Sequence, residues 1–292
     1  MAMIKQLRIY QIGDDNPPSI EEMEAVANNY PARECQHLEQ STIGFREFDT
    51  IPDTRVIQLE GSHFIYAELL AFKRSVPKSF LERELKKRVK QRESRGEEVA
   101  KGDYKEIRAE IVREQLPKMP QSETVTPIVF QAISKHCWIG ASSDGGADAA
   151  ITLLRRAGLN FAFTPIFEGI NMEMWLMEWM LQRQELPAGM ILGEKAKIKD
   201  ELEPKSTITI NNEDLRDSEL QAVASSRSIA ALELHCEKMT FMLHRDGSLK
   251  SIKYEIQDDT FDDLAHRAGY LLLETDNTLK TLFTAVGAPA NQ

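Results

Sequence analysis
Three places in the chain set a histidine beside or near a cysteine: His136-Cys137, His235-Cys236, and Cys35 with His37. Imidazole and thiolate together form a zinc donor set, so metal binding is the first chemistry to weigh. Neighbours along a strand point to opposite faces, so neither adjacent pair can close on one ion, and the short ligand spacings of zinc sites are missing. Asp258-Asp259 and Asp262-Asp263 match divalent-cation ligands in number only. They sit between a strand and a helix, where solvated capping residues are expected. Asp144-Gly145-Gly146 could hold an anion at a helix start, but a plain start to the helix is the reading taken. Neither G-x-x-x-x-G-K-[ST] nor G-x-G-x-x-G occurs, and no nucleophile elbow is present. Met172, Trp175, Trp179 and Met180 fall on one helix and read as core or interface rather than a cofactor box. The chain is expected to hold no catalytic residue, no metal and no cofactor.

Charge gives a sharper signal. Residues 73–118 hold 15 Lys/Arg against 9 Asp/Glu, whereas the remainder carries 21 against 37 in a chain of net charge −10. Attraction to a polyanion follows the local field rather than the total. On a helix over 79–95, Leu81, Leu85, Val89 and the stem of Arg88 share one arc, and Arg83, Lys86, Lys87 and Lys90 the opposite one. Such a helix packs one face and offers a cationic stripe whose phosphate contacts release counterions. Few aromatics interleave, which favours duplex backbone over a base-stacking single strand. A second reading stands beside it: Glu106, Glu110 and Glu114 form an i, i+4, i+8 stripe on the next helix and could neutralise the lysines across a hairpin.

The elements that carry these groups follow from periodicity and punctuation. A strand over 3–12 precedes the capping box Ser19-Ile20-Glu21-Glu22, which starts a helix over 20–29. Strands 55–60 and 63–72 are separated by Gly61-Ser62, suggesting a hairpin. A second capping box, Ser79-Phe80-Leu81-Glu82, opens the basic helix to Arg95, and Gly96 interrupts it. A third, Asp103-Tyr104-Lys105-Glu106, opens a helix that stops before Pro117. Pro117, Pro120 and Pro127 bound a polar stretch leading to strands 127–133 and 135–141. A helix from Asp144 to Arg156 closes at Gly158, and Asn171 caps another over 172–183. A short helix near 213–226 leads to strands 229–236 and 238–244, with a turn at Arg245-Asp246-Gly247 into 248–256. Helices 260–268 and 276–286 finish the chain.

Composition is that of an ordinary globular protein, 42% hydrophobic and 28% charged. No apolar run approaches the roughly 20 residues that span a bilayer, so no membrane partner is expected. The start, Met1 to Gln6, lacks the pattern of a secretory signal, and three sparse cysteines fit a reducing cytoplasm. The expected fold is α+β, with mixed sheets, packed helices and a projecting helical hairpin. Residues 1–76 with 123–165 would form a central region, 77–122 a finger, and 166–292 a base.

The stretch Phe241-Met242-Leu243-His244-Arg245-Asp246-Gly247-Ser248-Leu249-Lys250-Ser251-Ile252-Lys253-Tyr254 resembles the bacterial recombination-associated RdgC family, which shows a D-G-S-L-K turn within the same strand pattern. Ile4-Lys5-Gln6-Leu7 with Tyr10, Leu153-Leu154-Arg155, Glu178-Trp179 and Asp214-Leu215 hold the family's order over nearly the full length. The resemblance implies a non-catalytic homodimer closed into a ring around duplex DNA. Binding would lack sequence preference, restrain a recombinase and place the protein on the nucleoid. It implies that 77–122 is the family's finger and that Leu116-Pro117-Lys118 lies at its tip. The candidate DNA contacts are Arg83, Lys86, Lys87, Lys90, Arg113 and Lys118. Met119-Pro120 and Asn211-Asn212-Glu213 stand where relatives carry an aromatic residue and lysines. They motivate an alternative, a dimeric protein-interaction module that has lost most DNA affinity.

Overall fold
A computed structural model describes residues 3–13, 16–49, 51–59, 63–200, 206–256 and 264–289. In chain order the elements are β1 (Gln6–Ile12), α1 (Ile20–Asn29), β2 (Ser41–Phe45), β3 (Val56–Gln58), β4 (Phe64–Arg74), α2 (Lys78–Ser94), α3 (Lys101–Gln115), β5 (Gln121–Gln131), β6 (His136–Ile139) and α4 (Asp144–Arg156). There follow β7 (Phe163–Pro165), α5 (Met172–Met180), β8 (Ile191–Lys199), β9 (Thr207–Ile210), α6 (Ser218–Ala224), β10 (Ser228–His235), β11 (Met239–His244), β12 (Leu249–Tyr254) and α7 (Leu264–Val286). The fold is α+β. Its sheet runs β2-β4-β5-β6-β1-β12-β11-β10-β8-β9, with β3 beside β4 and β7 beside β1. The expectation of mixed sheets is corrected: every strand pair among the described residues is antiparallel.

β1 joins the two halves of this sheet. Gln6 and Leu7 pair with Lys250 and Leu249 of β12, while Arg8 to Gln11 pair with β6 on the other edge. Strands β4, β5 and β6 are covered on both faces. Ile65, Ala67, Ile128, Phe130, Cys137 and Ile139 pack under α1 and α4. The alternate residues Phe64, Tyr66, Val129 and Trp138 enter the larger core beneath α5 and α7. This is why their sequences read as continuous apolar runs rather than as alternation. A third, small cluster of Leu85, Val89, Ile107 and Ile111 joins α2 to α3. No helix among the described residues is long and apolar enough to cross a membrane.

Several boundaries move from their expected places. The Ser19 box is present, with Ser19 Oγ accepting from Glu22 N–H and Glu22 reaching back at 2.8 Å. α2 instead begins at Lys78 behind Pro77, with no side-chain cap, so Ser79 lies inside the helix. In α3 the aspartate acts from the third helical position: Asp103 accepts from Ala100 N–H at 2.8 Å rather than capping a later start. The supposed polar stretch after Pro120 is already strand, because Gln121 to Thr126 pair with β4. The helix capped by Asn171 stops at Met180 rather than at 183, where Gln182 takes a positive φ of 53°. The short helix near 213–226 spans only Ser218–Ala224, with Asp217 as its N-cap. The two C-terminal helices are one continuous α7 from Leu264. Asp276 pairs with Lys280 at 2.8 Å, and Thr275 hydroxyl donates to Leu271 carbonyl at 2.7 Å, so the polar Asp276-Asn277-Thr278 stretch continues the helix. The Gly61-Ser62 turn and the two Asp-Asp pairs lie outside the described residues.

Candidate nucleic-acid interface
α2 owes its place to Leu85 and Val89, which are 5% and 7% exposed against Ile107 and Ile111 of α3. That packing turns Arg83, Lys86, Lys87 and Lys90 outward, and all four are exposed. Arg83 stacks its guanidinium 5.3 Å from the Phe80 ring centre.

The acidic stripe of α3 does reach across the hairpin, but to arginines rather than lysines. Glu114 meets Arg88 at 2.5 Å, Glu110 lies 3.9 Å from Arg88 and 3.8 Å from Arg92, and Arg108 returns to Glu82 at 2.6 Å. The hydrogen bonds to Glu114 raise the pKa of Arg88, and Arg88 holds the Glu114 carboxyl below its usual range. Among the described residues Lys86, Lys87 and Lys90 carry no ion pair. The helix therefore separates its cations into a neutralised inner set and a free outer set.

Lys118 and Arg113 stand apart from that stripe. Leu116–Lys118 is a 3-10 turn, expected at the distal tip. It lies instead at the hairpin's root, where Leu116 is buried and the following Gln121 pairs with Arg74 at the end of β4. The distal turn is at Gly96, whose φ of 79° suits glycine. Lys118 is exposed at the root. Arg113 lines a trough between α3 and the 36–40 loop, together with Leu38, Val112 and Leu116.

A second cationic surface escaped the sequence reading. Across β9, β8, β10, β11, β12 and β1, the residues Ile210, Ala196, Leu232, Leu243, Leu249 and Leu7 are register partners and form one row of the larger core. Cross-strand partners share a face, so the neighbouring row of Thr209, Lys197, Ala231 and His244 lies on the opposite face of the sheet. So does the row of Glu233, Met242, Lys250 and Gln6. Glu233 is taken up by Lys195 at 2.7 Å. Lys197, Lys199, Lys250 and Lys253 have no ion pair among the described residues. His244 registers this crowding: burial first, then Lys250, Lys197 and Arg8, push its pKa down to about 4 against the opposing pull of Asp246. The signal was Lys195-Ala196-Lys197-Ile198-Lys199, cations alternating with buried residues. Gly193-Glu194, weak strand formers, hid the strand.

The residues weighed for other chemistry are placed as follows. His136 packs edge-on to Phe283, 5.4 Å between ring centres, while Cys137 enters the core under α4. Cys236 Sγ lies 3.1 Å from Met239 carbonyl, and Cys35 is buried. No group of three or more His, Cys, Asp or Glu that could hold a metal occurs among the described residues. Asp144 opens α4 and pairs with Arg8 at 2.7 Å, and Ser143 Oγ caps Gly146 N–H. Met172, Trp179 and Met180 are core.

Known proteins match the chain over nearly its whole length. Proteins named recombination-associated protein RdgC from Yersinia enterocolitica, Yersinia pestis and Yersinia pseudotuberculosis are each 23% identical to the chain, over 99% of its length and 99% of theirs. A family model described as "Putative exonuclease, RdgC" matches residues 2–282, and the chain belongs to the RdgC family.

Proposed function
We propose that this protein is a non-catalytic, recombination-associated binder of double-stranded DNA that recognises phosphate rather than sequence. The observation that carries the reading is the free row Lys86, Lys87 and Lys90, exposed on one helix face while the neighbouring arginines absorb the nearby carboxylates. Arg83 extends the row, Lys118 adds a separate exposed cation at the hairpin's root, and Lys197, Lys199, Lys250 and Lys253 supply a second contact area. Among the described residues neither area presents an aromatic platform for unstacked bases, which supports duplex over single strand. The name shared by the relatives, recombination-associated protein, supports a role in recombination, which we read as restraint of a recombinase on nucleoid DNA. A homodimer closing a ring around the duplex suits this reading, with residues 77–122 as the projecting finger. An electrophoretic shift at low salt tests it. Duplexes of unrelated sequence are expected to shift alike, and an unshifted duplex would leave the alternative, a dimeric protein-interaction module.

The family description favours a second reading, an exonuclease. Hydrolysis of this kind commonly uses clustered carboxylates around divalent cations. Magnesium-dependent shortening of an end-labelled duplex, abolished by chelator, would establish it over the non-catalytic one.

A further inference from the structure
We infer that the trough between α3 and the 36–40 loop is a docking site for an acidic peptide segment that carries a bulky apolar side chain. Lys105, Arg108, Val112, Arg113 and Leu116 recur at helical spacing along one face of α3, separate from Ile107 and Ile111, which pack on α2. Opposite them stands Leu38, 55% exposed, and the space between is about 450 Å³. An exposed leucine on a floppy loop would mean little, but this loop is fastened. Arg33 donates twice to Glu39, at 2.6 and 2.8 Å, and Gln36 N–H donates to the same carboxylate at 2.7 Å. These bonds hold the Glu39 carboxyl down at about 2. Cys35 N–H donates to Gln121 at 2.7 Å, and Arg74 N–H to Gln40 carbonyl at 2.8 Å. A partner meeting Leu38 therefore pays little ordering entropy.

Charge selects the occupant. Among the described residues three cations line the trough and no carboxylate does. Of these three only Arg108 is in an ion pair among the described residues, with Glu82, so Lys105 and Arg113 keep their charge for an incoming acid. A nucleic acid is the poorer fit, because its backbone has no bulky apolar group to fill the Leu38, Val112 and Leu116 surface, and no aromatic among the described lining residues stacks a base. An Asp/Glu-rich segment with one Leu, Phe or Trp satisfies both the rim and the floor.

The test is selection of a displayed random-peptide library on the full chain, with a Leu38→Asp protein as counter-screen. Enriched peptides are expected to set Leu, Phe or Trp among Asp and Glu. Measured by fluorescence anisotropy, Leu38→Asp and Lys105→Glu should each weaken the selected peptide about tenfold, while duplex binding stays within about twofold. Peptides that are neutral or basic, or none enriched over the counter-screen, overturn the proposal. So does loss of duplex binding by Leu38→Asp, which would make the trough part of a nucleic-acid surface. A fall in sedimenting mass for that variant would make it a contact between copies, and overturns the proposal as well.

Discussion
Arg88 and Glu114 face each other across the helical hairpin with 2.5 Å between guanidinium nitrogen and carboxylate oxygen, while Lys86 and Lys87, beside Arg88 in sequence, have no such partner among the described residues. Planar guanidinium matches a carboxylate in two places and is less strongly hydrated than ammonium, so arginines settle into the inner pairs. Lysines are left for solvent and for whatever docks on it.

Removing that arginine should therefore disturb the outer surface. In Arg88→Ala, Glu114 loses its arginine partner, Glu110 keeps only Arg92 at 3.8 Å, and both add negative potential beside the stripe. Duplex affinity at low salt is expected to fall about three- to tenfold, although Arg88 itself faces the hairpin. Fluorescence anisotropy measures this, with faster amide exchange in α2 and α3 reporting the loosened pairing. The Glu114→Gln variant should move affinity the other way.

Lys197 and Lys250 lie on the sheet face opposite the larger core, with β10 and β11 between their strands, around His244. Replacing both by Glu is expected to weaken duplex binding about tenfold or more and to flatten the salt dependence by roughly two phosphate contacts. Unchanged binding would confine the interface to the hairpin.

Arg8 is 9% exposed and bridges Asp144 of α4, at 2.7 Å, to Asp246 of the β11–β12 turn, at 3.1 Å. It thus links both halves of the sheet at the strand they share. Arg8→Leu leaves two carboxylates facing each other and should cost about 1–3 kcal/mol in urea unfolding. Gly247→Ala in the same turn should destabilise too, since φ is 75° and an added Cβ runs into the Phe167 ring.

His136, 2% exposed between β6 and α7, has its pKa pushed down to about 4, chiefly by burial. An unfolded histidine titrates near 6.5, so the unfolded chain takes the proton first as pH falls. Stability from this site is complete above about pH 6.5 and is lost progressively down to about pH 4, by roughly 3 kcal/mol. Urea midpoints of the unsubstituted protein should therefore fall more steeply across that window than those of His136→Gln. Parallel curves would remove His136 as the cause.

Much of this was legible in the sequence because local chemistry decides it. The Ser19 capping box, the Gly158 helix end and the Asp246-Gly247 turn are each written within a few residues. The free face of α2 followed from helical periodicity alone. What stayed hidden depends on distant partners. Which cations of α2 are neutralised is set by the register of α3 beside it, and one-dimensional charge counting assigns the carboxylates to lysine or arginine alike. The lysines of β8 became a surface only once β10 was seen to pair with them. In α7, Asp276 and Thr275 resemble a break until their partners one turn away are known.

The most direct measurement is the salt dependence of duplex affinity for the unsubstituted protein and for Lys86→Glu, Lys87→Glu, Lys90→Glu combined. The unsubstituted protein should show log K falling linearly with log salt by about 0.9 per phosphate neutralised, with the same slope on unrelated sequences. The triple variant, still folded by circular dichroism, should bind at least about a hundredfold more weakly at low salt with a slope shallower by about 2.7. Equal affinity and equal slope in the two proteins would contradict the assignment of these ammonium groups to phosphate.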